Sequence, residues 1–448
     1  MDIKKKKTLL IIGSIFAVLL IILTIILLLT RNKDNTDNSD GNNTNTDDNV
    51  TLIYWGLWEP DEVMHPLIEK YEEANPGVTI EYAQQTFKNY ESRLYTRLEQ
   101  STNSTEPAPD IFRINNTWLP KYQNFLSSLP TDVMDNTTYA QEFYPTATAD
   151  FTGIDGKIYA IPIEIDGLTI IYNKQILSKA GYTQPPEDWD SFIEAANKMT
   201  ERDSTGKISQ SGLAIGTAKN ITHSADILTF LMLQNGAQII DSTKTQVNIT
   251  SQRAISALDK YTEFATSTEP LWATYLPQDL TLFYEGKLAM MFAPSWRAFD
   301  IINSASQIEF GIASLPQLPN NQEINYSMYW GDTVSKTSTN QAIAWDFIKF
   351  LSEPEQQRRL FSNSSQIRAF GEPYSRVSMN EELASNPYTQ AIAEMAPTMT
   401  SWQIGEQGYI EELFRDAITS IVEDGEDSAS VLKSIQTDIN DQLAKSNR

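Results

Sequence analysis

An α/β architecture of two bodies meeting at an acidic joint follows from three features of the sequence. From residue 50 onward, strand-like apolar runs alternate with amphipathic helical stretches, the pattern of a parallel sheet covered by helices. Residues 151–174, FTGIDGKIYAIPIEIDGLTIIYNK, bring two β-rich segments together at 162–167, a short joint carrying Glu164 and Asp166. An ordinary buried crossing does not hold two carboxylates, because an unpaired charge taken out of water costs far more than a turn returns, so both should face a gap filled by water or ligand. Third, the chain has 448 residues of which 41% are apolar, enough for two or three domains with real cores.

Composition removes whole classes of function. There is no cysteine, so disulfides, thiolate metal sites and cysteine nucleophiles are excluded together. A net charge of -24 repels nucleic acid and anionic lipid over most of the surface. Both histidines, His65 on an expected helix and His223 in a loop, read as surface or capping residues. Ser204 with Lys207 and Ser430 with Lys433 lack the companion motifs of a serine hydrolase, and no Gly-Lys pair has phosphate-loop spacing. No catalytic, metal or cofactor site is expected.

At the amino end, Lys4, Lys5, Lys6 and Lys7 precede an uncharged run over 8–30, which at ~1.5 Å per residue crosses a ~30 Å hydrocarbon layer as a helix. The lysines place residues 1–7 in the cytoplasm and everything after the span outside. A cleaved secretory signal is the competing reading, but the run ends in LLLTRNK and not in the small residues of a cleavage site. Residues 31–49 contain no apolar side chain and form a disordered tether. Their Asp and Asn content does not make a calcium loop, since with Gly41 at the turn the first ligand position is Thr36.

The first body begins with an expected strand at 50–54, a helix at 60–74 with Val63, Leu67, Ile68 and Tyr71 on one face, a strand at 78–82 and a helix at 87–100. Ligands of such sheets sit at the carboxyl ends of strands, where Trp55, Trp58 and Glu59 follow the first strand. A strand at 110–114 comes next, opened by Asp110 and followed by Asn115 and Trp118. A turn or cap role competes with ligand contact for Asp110, and core packing competes for Trp118.

In the second body, a helix is expected over 186–200, capped by Asp188, Asp190 or Ser191; a strand over 213–216; and a helix over 225–235 stopped by Gly236. After a helix at 253–266, a strand within 286–296 ends at Trp296, an indole either exposed for stacking or buried as packing. The segment MYWGDT at 328–333, with Trp330, leads to a helix at 341–351. Helices over 387–395 and 410–422 flank a loop with Trp402, and loop aromatics are the more available to a partner.

Several of these segments carry a family resemblance. The pattern DGK-x-YA-x-P with the following YNK and PPEDW at 185–189 resembles the hinge-crossing signature of the extracellular solute-binding proteins (family 1 type) that serve sugar ABC importers. FLSSLP at 125–130, FLMLQNGAQII at 230–240, GKLAMMFAPSW at 286–296 and AWDFIKFL at 344–351 are similar to further family segments and occur in the family order.

The resemblance implies a two-lobed periplasmic-binding-protein (type II) fold with hinge crossings, here preceded by one transmembrane helix. The first lobe would comprise 50–164 and 327–377, the second 165–326 and 378–448. It implies capture of a carbohydrate, an oligosaccharide, without chemistry, and delivery to ABC transporter permease subunits, at the outer face of the cytoplasmic membrane. Family members on single-membrane cells are often held by a lipidated cysteine, for which the 8–30 helix would substitute. Neutral polyols need hydroxyl acceptors and ring platforms. The implied ligand set is Trp55, Glu59, Asp110, Asn115, Trp118, Glu164, Asp166, Trp296, Trp330 and Trp402, with Asp110 and Asp166 as acceptors and the five tryptophans as platforms. Two alternatives stay open: an anchored polysaccharide hydrolase using paired carboxylates, and a sensor ectodomain working through a separate transducer.

Overall fold

The longer strands assort into two sheets, the first drawing on sequence on both sides of residue 164 and the second only on sequence after it. A computed structural model of the chain describes residues 49–101, 107–241, 246–403 and 405–446. The span expected over 8–30 and its flanking segments up to residue 48 lie outside the described residues; among those described, no helix is long and apolar enough to cross a membrane.

The first sheet has six strands: β1 (Val50–Leu57), β2 (Val78–Gln85), β3 (Ile111–Asn115), β4 (Leu126–Ser127), β5 (Ile161–Pro162) and β12 (Trp330–Ser335). β1 lies between β2 and β3, parallel to both, so helices Asp61–Ala74 and Tyr90–Gln100 serve as crossovers. β1 extends to Leu57, past the end expected at residue 54, because its pairing with β2 continues to the Leu57 and Gln85 register. β12 enters antiparallel to β3, β4 and β5 and so becomes an inner strand of a sheet whose other members come from the first 162 residues. Every residue of β3 and all of β12 but Trp330 are buried, so their polar members, Arg113 and Asp332 among them, need partners inside the protein.

The second sheet contains β6 (Leu168–Asn173), β7 (Glu201–Arg202), β8 (Ile208–Ala214), β9 (Leu288–Pro294) and β10 (Phe310–Ala313), in the order β10-β6-β9-β8-β7. β8 starts at Ile208, five residues before the expected strand, because its polar first half forms an antiparallel pair with β7. Phe192 and Phe230 from two helices are fully buried and meet Phe292 of this sheet, each at 6.4 Å between ring centroids.

Between the sheets, three crossings run side by side. Ile165 N–H donates to the Pro373 carbonyl (3.0 Å), Met328 N–H to that of Asp166 (2.9 Å) and Ser327 N–H to that of Thr400 (3.0 Å). Next to them, β11 (Asn325–Tyr326) pairs in parallel with β13 (Met399–Thr400). Parallel linkers of this kind permit bending about one axis and oppose twisting.

Candidate functional site

Two constructions stand at the carboxyl ends of β1 and β3, and the first is aromatic. Trp58 has φ +51°, a left-handed conformation that costs a bulky residue about 1–3 kcal/mol and persists where its surroundings enforce it. The turn delivers the indole to within 5.1 Å of Trp330 and 5.9 Å of Phe87, centroid to centroid. Trp330 also meets Trp118 edge-on at 5.0 Å, and Trp118 stacks on Tyr122 at 5.5 Å. Contacts of this geometry contribute about 0.5–1.5 kcal/mol each beyond burial, so the rings brace one another. Trp58 and Phe87 are nevertheless 39% and 61% exposed, which leaves an apolar surface open at the strand ends.

The second construction is ionic. Arg113, the one charged residue of β3, is fully buried and donates from Nε to Asp332 (3.0 Å) and from Nη1 to Glu59 (2.7 Å). Tyr54 donates its hydroxyl to Asp332 at 2.6 Å. Arg368 holds Glu372 at 2.6 Å, and the Glu372 charge acts on both Glu59 and Glu164. Burial pushes Glu59 up to about 7 against the pull of Arg113, and burial with the Glu372 charge holds Glu164 well above the usual carboxylate range. Arg368 and the two carboxyl partners outweigh burial at Glu372 and keep it near about 2.

Across the gap, the second sheet presents Trp296, 40% exposed, just beyond β9. The Arg297 guanidinium covers its ring at 4.3 Å and pairs with Asp300. Deeper in this half, His223 is buried and its Nδ1 lies 3.0 Å from Asp226; burial and Asp226 push nearby Glu411 up to about 7. Of the two expected roles, the surface one fails for His223 and the capping one holds in position, since it is the N-cap of helix Ser224–Gln234, without a side-chain cap bond; His65 is exposed on its helix. A separate concavity of about 730 Å³ lined by Leu129, Pro130, Asp135 and Ile158 shares no residue with either construction, and Asp135 is occupied in capping helix Asn136–Glu142.

The ten residues singled out in the sequence are distributed unevenly. Trp118 and Trp330 belong to the ring cluster, Glu59 and Glu164 to the ionic one, and Trp296 to the opposite face. Trp55 points elsewhere, under the Arg97 guanidinium at 5.9 Å. Asp110 is at the amino end of β3 and accepts from Ile53 N–H (2.9 Å) and the Ser338 hydroxyl, a structural clasp. Asn115 Oδ1 is occupied by the Thr117 amide and hydroxyl. Asp166 accepts from Gly167 N–H, Ser295 N–H and the Ser295 hydroxyl, so it is committed to the crossing. Trp402, expected to be an available loop ring, is 4% exposed and stacks on Phe414 at 5.9 Å.

Arg113, Asp332, Arg368 and Glu372 had no place in the sequence-level set. One signal existed: a lone arginine in the apolar strand IFRIN requires a buried carboxylate partner. Trp58 had a position but no claim, since its backbone turn is not written in residue type.

Comparison with known proteins bears on the family and the fold. Residues 56–358 match the family described as bacterial extracellular solute-binding protein. The maltotriose-binding protein of Pyrococcus abyssi is 23% identical over 403 residues, 87% of this chain and 81% of that protein. The diacetylchitobiose binding protein DasA of Streptomyces coelicolor is 24% identical over 416 residues, 88% of this chain and 90% of that protein. Among solved structures, the cyclic α-maltosyl-1,6-maltose binding protein of Arthrobacter globiformis superposes with a TM-score of 0.72 at 17% identity, covering 88% of this chain and 99% of that one. The fold is thus the two-lobed α/β arrangement expected from the sequence.

Proposed function

Because the chain belongs to the bacterial extracellular solute-binding proteins, we propose that it captures a carbohydrate, an oligosaccharide, between its lobes and passes it unchanged to the permease of an ABC importer. In this reading residues 8–30 hold the protein at the outer face of the cytoplasmic membrane as a single-pass anchor.

The carrying observation is the ring cluster around Trp330, open at Trp58 and Phe87. Indole faces cover the C–H surface of a sugar ring while carboxyls meet its hydroxyls, which replaces the water that the sugar gives up. Trp296 would close over the opposite face of the sugar when the lobes approach, and the closed form is the one a permease recognises.

The relatives support binding without hydrolysis, since the maltotriose-binding and diacetylchitobiose-binding proteins compared above are binding proteins. A thermal-shift screen of the full-length protein against maltodextrins, xylo-oligosaccharides and simple sugars tests the proposal. A true ligand at a hundred times its Kd adds ~2.7 kcal/mol and raises the midpoint. No shift with any carbohydrate, or release of new reducing ends from one that binds, would overturn it.

A further inference from the structure

Asp166 has the environment of a mechanical part and not of a ligand contact. It sits in the first crossing and is 3% exposed. Its Oδ1 accepts from Gly167 N–H (2.7 Å) and Ser295 N–H (3.3 Å), and its Oδ2 from the Ser295 hydroxyl (2.9 Å). Its carbonyl accepts from Met328 N–H of the second crossing (2.9 Å). A carboxylate with three donors and almost no exposed surface has little capacity left for a sugar hydroxyl.

Ser295 is where this bonding leads. It is fully buried, directly precedes the exposed Trp296, and its carbonyl accepts from Ala298 N–H (3.0 Å) to start helix Arg297–Ser304. On the other side of Trp296, Arg297 lies 4.3 Å over the indole and is itself tied to Asp300. The indole is therefore gripped through its backbone by the crossing and through its face by its neighbour. Any rotation of the first crossing that moves Asp166 carries Ser295, and with it the Trp296 ring.

Resting on the reading of Trp296 as the second-lobe platform, we propose that Asp166 is a positioning residue: it sets the Trp296 indole for the ligand through Ser295 and makes no contact with the ligand itself. Hinge and platform then move as one piece, with no freedom for the ring to lag behind closure.

The test is a double-mutant cycle on the full-length protein, using the carbohydrate that wild type binds in the screen. Asp166→Asn keeps the size of the side chain but cannot receive both Ser295 donors. Trp296→Ala and Asp166→Asn should each weaken binding about tenfold, and the double variant also about tenfold, because both act at one indole. Ser295→Ala, a smaller lesion and the safeguard if Asp166→Asn does not fold, should fall in the same non-additive pattern. With 5-fluorotryptophan, the 19F resonance that Trp296→Ala removes should shift in Asp166→Asn and Ser295→Ala while the other tryptophan signals hold. A hundredfold loss in the double variant would mean that Asp166 touches the ligand, and wild-type affinity with an unshifted Trp296 signal would mean that it positions nothing; either result overturns the inference. If wild type binds no carbohydrate, the proposed function falls, and the 19F shifts still decide whether Asp166 sets the indole.

Discussion

The two faces of the cleft are built by opposite methods. On the first lobe, Trp58, Phe87, Trp118 and Trp330 support one another at 5.0–6.1 Å, and the ionic cluster around Arg113 lies two residues further along β12. On the second lobe a single exposed indole, Trp296, has one covering guanidinium and a backbone tie to the crossing. The first face is complete before any ligand arrives; the second depends on where the hinge puts it. On the function proposed above, such a division would let a ligand dock on a braced surface at little entropic cost and would leave the reporting of occupancy to the opposite face.

Trp330→Ala probes this asymmetry with the largest effect. Removing the ring at the centre of the cluster should cost at least a hundredfold in affinity, about 3 kcal/mol, against about tenfold for Trp296→Ala, both read by calorimetric titration. Equal losses would mean that the faces share the work evenly.

The joint between the faces gives the next effect. Burial, chiefly, raises Glu59 from 4.5 to about 7 and Asp166 from 3.8 to about 7, the latter against its hydrogen bonds. Carboxyls that hold their protons more tightly when folded give stability that is full below their unfolded values and is lost as pH rises toward about 7. Urea unfolding should thus show stability falling by about 1.4 kcal/mol per pH unit for each such group between about 4.5 and about 7. Glu59→Gln should flatten the slope by one group's share; an unchanged slope would mean that Glu59 is not the group that titrates. Lowered Glu372 acts in the other direction, its contribution being lost only as pH falls below 4.5 toward about 2.

The smallest effect sharpens the boundary of the first face. Asp110→Asn should lower stability by about 1 kcal/mol through its weakened clasp on Ile53 and Ser338, and leave affinity unchanged. A loss of affinity would extend the binding face to the amino end of β3.

What the sequence disclosed follows from how local each feature is. Strand and helix alternation, the acidic joint at 162–167 and the stop at Gly236 depend on neighbours a few residues apart, and the structure shows them near the expected places. Arg113 and Asp332 are 219 residues apart in the chain and meet only because β12 pairs with β3. Trp402 looked accessible because its segment reads as a loop. Ser401 donates to Asp150 at 2.6 Å and the Gln403 amide donates to the Asp150 carbonyl, which together draw that loop down and seat the ring on Phe414. Asp166 illustrates a subtler limit: its polarity was visible, but two of its three donors come from residue 295.

The late arrival of β12 has a consequence for biogenesis. As the ribosome finishes β3, the slot beside it stays vacant until position 332 emerges, and at about 5–20 residues per second that delay is on the order of ten to forty seconds. Throughout it a nascent sheet exposes an unsatisfied inner edge and a guanidinium without its aspartate. Synthesis of this protein should therefore be unusually sensitive to depletion of the chaperones that shield unpaired strands, and truncations ending before residue 330 should aggregate where slightly longer ones do not.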